Sequence, residues 1–166
     1  MGDKILLTPE KALRFEGYFD LQETYSAVKN YLEVDRYYDV TEKDFTEKNK
    51  GVHRFVFSIL ESEFFYTDYY KIIMAMKMEM AGDDVEIEEE GVKKIFTDGY
   101  VKLSIAAYGD ADWLNKRSTK PIMTFLSKLV QKFHGKDMLK SVKVKANEDL
   151  DSTVNVLKQH VHSRVK

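Results

Sequence analysis

The chain has 166 residues, 43% of them apolar and 13% aromatic, and it contains no cysteine. That length suits one domain with a core that folds without staples, and the missing cysteine removes disulfides, iron–sulfur clusters, thiolate zinc sites and cysteine nucleophiles. The net charge of −2 supplies no global field for nucleic acid, and no stretch approaches the ~20 apolar residues that span a bilayer.

Ile5-Leu6-Leu7 is too short for the apolar region of a signal peptide, so a cytoplasmic protein is expected; a component of a virion or released particle would have the same composition. Residues 11–19 alternate, with Leu13, Phe15, Gly17 and Phe19 on one parity, as a half-buried strand does. Gly17 inside it marks a bulge or a close backbone approach. Asp20 then stands where a helix N-cap belongs, with Glu23 completing a capping box. Leu21, Tyr25, Val28 and Leu32 put one apolar stripe on a helix over about 21–34.

Residues 37–46 read as a short strand or an irregular turn. Asn49-Lys50-Gly51 is a turn, and 52–65 is dense in β-branched and aromatic types. From Tyr66 to Met80 the alternation is nearly unbroken. Tyr66, Tyr70, Ile72, Met74, Met76, Met78 and Met80 share one face, against Thr67, Lys71, Lys77 and Glu79 on the other. Ala81-Gly82-Asp83-Asp84 reads as a turn, Val85–Glu90 as the returning strand, Asp98-Gly99 as another turn, and 100–108 as a further strand. Strands joined by such short turns pair antiparallel.

Ser118 and Pro121 open a second helix over about 119–134, with the stripe Ile122, Leu126, Leu129 and Phe133, stopped by His134-Gly135. Val142 and Val144 suggest an edge strand in the linker that follows. Asn147 then caps a third helix with the stripe Leu150, Val154, Leu157 and Val161. From Lys132 onward eight basic residues face four acidic ones. The expectation is an α+β domain over 1–135, an antiparallel sheet of about 5–6 strands with two helices on one face, and a C-terminal extension over 136–166 with an appended amphipathic helix.

The chemistry-bearing residues form no known motif. No nucleophile elbow, Walker loop, dinucleotide fingerprint or H-E-x-x-H is present, and no catalytic residue is assigned. His160 and His162 point apart on a helix, so no metal site is expected. Asp83, Asp84, Glu86 and Glu88–Glu90 lack calcium-loop spacing and read as a solvated strand face. The acidic neighbours of Tyr66, Tyr69 and Tyr70 have the wrong sign for stacking single-stranded nucleic acid, which leaves only weak phosphate contacts by the basic tail. Asp68, Asp112 and Trp113 could line a pocket. No cofactor is expected.

With the elements in this order, the chain over 11–134 resembles the helix-grip, START-like carriers, whose curved antiparallel sheet wraps a long C-terminal helix. Glu16-Gly17 through Asp20-Leu21, the hairpin strands, and Trp113 followed by Ser118, Pro121 and Phe125-Leu126 are similar to an uncharacterised group of small archaeal proteins. That second likeness implies that the helix after Trp113 closes the domain.

Two roles follow. The first is a non-catalytic interaction or structural subunit, in which Leu150, Val154, Leu157 and Val161 dock on a protein partner or on a second copy of the chain. The alternative, implied by the helix-grip resemblance, is a carrier that holds an apolar small molecule in a cavity between sheet and C-terminal helix. Met74, Met76, Met78, Trp113, Phe125 and Leu129 would line that cavity.

Overall fold

The structure, a computed structural model, describes residues 3–67, 70–111 and 121–162, with the side chains of residues 3, 111 and 121–135 excepted. Among the described residues the chain runs β1 (Asp3–Phe19), α1 (Leu21–Asn30), a π-helical turn (Tyr31–Asp35), β2 (Asp39–Lys50), β3 (His53–Phe65), β4 (Tyr70–Glu89), β5 (Val92–Ala111) and α2 (Pro121–His160). The fold is α+β. The five strands form one antiparallel sheet in the order β1-β5-β4-β3-β2.

That order sets the path of the chain. β1 and β2 are opposite edges, so the segment between them must cross the whole sheet. Four inter-strand spacings amount to about 19 Å. The 10 residues of α1 and the 5 of the π-helical turn extend for about 22 Å, a matching span. Asp20 starts the crossing as the alternation predicts, its Oδ1 accepting the Glu23 N–H at 2.8 Å. Replacing Asp20 with Ala is expected to cost about 1 kcal/mol, read from the urea midpoint.

Inward-facing side chains fill the core by strand parity. Ile72, Met74, Met76, Met78 and Met80 of β4 are at most 1% exposed. They share a core with Val56 and Leu60 of β3, Val101, Leu103 and Ile105 of β5, Val28 of α1 and Leu32 of the π-helical turn. Each buried methionine contributes about 1.5–3 kcal/mol. The opposite face of the sheet carries ion pairs, among them Lys71–Glu63 at 2.8 Å and Lys102–Glu79 at 3.3 Å.

Four expectations change. First, β4 and β5 run unbroken through both apparent turns; the hairpin reverses at Glu90-Gly91, whose φ values of 51° and 78° fit a tight two-residue turn. Gly82 and Gly99 are direct cross-strand partners, and Gly17 is the partner of Gly99 on β1. A Cβ on Gly99 would lie 1.9 Å from the Ala81 carbonyl oxygen, and one on Gly82 would lie 2.4 Å from that of Asp98. These glycines permit close backbone approach rather than chain reversal. Second, β4 begins at Tyr70: Tyr66 lies outside the ladder, its N–H bonded to the Tyr70 carbonyl oxygen at 3.0 Å.

Third, α2 is one helix of 40 residues that continues through His134-Gly135. A glycine inside a helix costs about 1 kcal/mol, which favourable packing elsewhere overrides. The separate helix at about 119–134 and the appended helix are therefore one element. Fourth, Val142 and Val144 belong to that helix and not to an edge strand; Val142 is fully buried and Val144 is exposed. Asn147 is likewise interior to α2, and its Oδ1 accepts from the Thr8 hydroxyl instead of capping a helix.

The described packing of α2 is made by its C-terminal half. Val142, Ala146, Leu150 and Leu157 are fully buried, and Val154 is 7% exposed. The end of α2 is tied to β1, where Tyr18 and His162 exchange backbone hydrogen bonds of 2.9 and 2.8 Å. Beyond that point the Phe96 ring meets the His162 ring edge-on at 6.4 Å.

Candidate functional site

The inward face is built in rows across all five strands. One row runs Phe45, Ser58, Met78, Leu103, Leu13; another runs Val40, Ser62, Met74, Ala107, Thr8. The composition differs from an ordinary sheet core. β4 contributes four methionines at alternate positions; Met76 and Met80 lie between branched aliphatic residues, but Met74 lies between Ser62 and Ala107, and Met78 lies beside Ser58. At Met74 and Met78, flexible thioethers beside short side chains make a deformable stretch of the floor.

Among the described residues, two polar side-chain atoms in this interior have no hydrogen-bond partner. They are Ser58 Oγ and Thr24 Oγ1, on residues 0% and 1% exposed. Ser58 shares its inward parity with Val56 and Leu60, and Thr24 lies one turn before the buried Val28 on α1. Buried hydroxyls are normally bonded, and each one left unpaired costs about 1–3 kcal/mol. Ser62 has only a long contact, 3.5 Å from its Oγ to the Met74 carbonyl oxygen.

A second polar group closes one end of the interior. Asp149 of α2 is 1% exposed. Its carboxylate accepts from the Tyr38 hydroxyl at 2.9 Å and from Lys145 Nζ at 2.8 Å, and it pairs with Arg36 Nη1 at 3.4 Å. Arg36 also donates to the Tyr31 hydroxyl at 2.7 Å and to Ser152 Oγ at 3.2 Å. The backbone that delivers Arg36 and Tyr38 is unusual. It leaves the π-helical turn and passes through Tyr37 at φ 59°, a left-handed conformation that side chains with a Cβ seldom adopt.

Burial, then the Asp149 charge and its hydrogen bond, push the Tyr38 phenol above its ordinary pKa, so it remains a donor. The Tyr31 hydroxyl, opposed by burial and aided by Asp149, raises the Arg36 guanidinium further, so it remains charged. Three donors occupy the Asp149 carboxylate. The group acts as a latch holding α2 to the crossing segment.

On the opposite face, a shallow depression of about 350 Å³ is bordered by Arg14, Phe57, Lys77, Glu79, Lys102 and Ser104. Lys102 pairs with Glu79 at 3.3 Å, and Arg14 pairs with Glu16 at 2.9 Å. Tyr100 donates to Glu79 at 2.7 Å, and this bond first, with Lys102 assisting against partial burial, holds the Glu79 carboxyl below its usual range. Arg14 lies over the Tyr100 ring at 4.2 Å.

The residues singled out from the sequence fall in different places. Met74, Met76 and Met78 stand together on the inward face. Leu150, Val154 and Leu157 are buried in the same core, with Val161 half-buried against it, so that stripe is covered by the protein's own sheet. Trp113, Asp68 and Asp112, and the side chains of Phe125 and Leu129, lie outside the described residues. Among the described residues no three histidines or carboxylates are grouped to hold a metal, and no helix is long and apolar enough to cross a membrane. Ser58 and Ser62 carried a sequence signal that was passed over: they are polar residues on the inward parity of an apolar strand. Nothing local sets Asp149 apart from the neighbouring Asn147, Glu148 and Asp151.

No family model matches the chain, and no curated protein matches it. Among solved structures, it is similar to the crystal structure of the di-domain ARO/CYC BexL from the BE-7585A biosynthetic pathway, at 8% identity over 96% of this chain and 52% of that one. The chain spans about half the length of that protein, and a TM-score of 0.23 carries no argument about fold or role.

Proposed function

We propose that this protein is a carrier that holds an apolar small molecule between the methionine face of β4 and the helices above it. The observation that carries this reading is the make-up of the inward face: four methionines at most 1% exposed on alternate positions of β4, with the short Ser62 and Ala107 on either side of Met74 and Ser58 beside Met78. The order of elements supports it too, because β1 pairs with the last strand and a single long C-terminal helix follows, as the resemblance to helix-grip carriers implies. The interaction-subunit reading has less support. It rests on missing catalytic motifs, a long strand pair with one solvated face and an appended amphipathic helix, and of these the helix stripe is covered within the chain, where Leu150 and Leu157 are fully buried.

The test is a fluorescence titration with 1,6-diphenylhexatriene, a hydrocarbon with no polar atoms, together with mass spectrometry of a solvent extract of the purified protein. Saturable binding of about one probe per chain is expected, with a co-purified lipophile in the extract. No saturable binding and an empty extract would remove the carrier role.

A further inference from the structure

We propose that the ligand is uncharged and carries a hydroxyl or carbonyl group, which pairs with Thr24 and Ser58; the inference rests on the carrier reading above. Both hydroxyls are unpartnered, and both residues are at least 99% buried. Each is linked to the same aromatic residue, Phe45. Ser58 is the cross-strand partner of Phe45 and Met78. Thr24 precedes Tyr25, whose ring lies edge-on to Phe45 at 5.6 Å. A hydroxyl both donates and accepts, so this pair suits an alcohol or a ketone.

Among the described residues, Asp149, Glu42 and Lys11 argue against an ionic ligand, because these three are already engaged. Asp149 is held by Tyr38, Lys145 and Arg36. Glu42 takes the Tyr25 hydroxyl, and Lys11 pairs with Asp151 at 2.7 Å. A ligand carboxylate would find no free counter-ion among them and would have to be desolvated unpaired, which is far costlier than burying a hydroxyl with two partners.

The experiment displaces diphenylhexatriene from the full chain with decan-1-ol or with decanoate, which share a chain length and differ in charge. Decan-1-ol is expected to compete at a concentration at least about tenfold below decanoate. In a Ser58→Ala, Thr24→Val double variant, decan-1-ol should lose about tenfold in affinity as two ordinary hydrogen bonds disappear, while diphenylhexatriene binds as before. Equal competition by decanoate, or unchanged decan-1-ol affinity in the double variant, would overturn this inference and leave the carrier reading in place. Failure of the unaltered protein to bind diphenylhexatriene would remove both.

Discussion

Replacing Gly99 with alanine is expected to destabilise the fold by about 3 kcal/mol or more, the upper range for forcing atoms into a packed site. The added Cβ would sit 1.9 Å from the Ala81 carbonyl oxygen and 2.6 Å from the Gly82 Cα. Those atoms are backbone of the adjacent strand and cannot rotate away. Relief requires β4 and β5 to separate where Gly17, Gly99 and Gly82 lie side by side, and this pairs the centre of the sheet with its arm over residues 84–97. Gly91→Ala is the matched control. It has open space around it and costs only the left-handed conformation at φ 78°, about 1–2 kcal/mol. Urea denaturation of the two variants should show the larger loss at Gly99, and equal midpoints would contradict the close approach.

Asp149→Asn is expected to cost about 3 kcal/mol. Removing the charge leaves Arg36 and Lys145 facing a neutral group inside the protein, and a broken buried pair costs about 3–5 kcal/mol. The low end applies because Arg36 and Lys145 retain 35% and 26% side-chain exposure and can turn partly to water. Asp151→Asn, two positions along the same helix, removes an exposed pair with Lys11 and should cost under about 1 kcal/mol. Hydrogen exchange would locate the effect. Amides of Lys145–Leu157 should lose protection in the Asp149 variant before those of β4 do. Loss spread evenly over the sheet would count against a latch.

These two sites show where sequence reading succeeds and where it stops. Local rules gave the cap at Asp20, the helix that follows it, and the alternation that places four methionines on one face. They failed where a residue's meaning depends on a distant partner. Gly82 and Gly99 read as turns because glycine commonly marks them, yet each is needed as the other's neighbour across a ladder. His134-Gly135 read as a helix stop because a local preference of about 1 kcal/mol was weighed without the burial of Val142 to Leu157 beyond it. Asp149 pairs with residues 113 positions away at Arg36 and 111 away at Tyr38, a separation no periodicity reveals. The inward serines were legible by parity, but only their lack of partners gives them meaning.

The most direct measurement is an NMR spectrum of protein labelled with ¹³C at the methionine methyls, recorded before and after saturation with diphenylhexatriene. The resonances of Met74, Met76, Met78 and Met80 should move, while that of the exposed Met138 stays in place. Bound probe with those four resonances unmoved would put the ligand elsewhere and contradict the interior site.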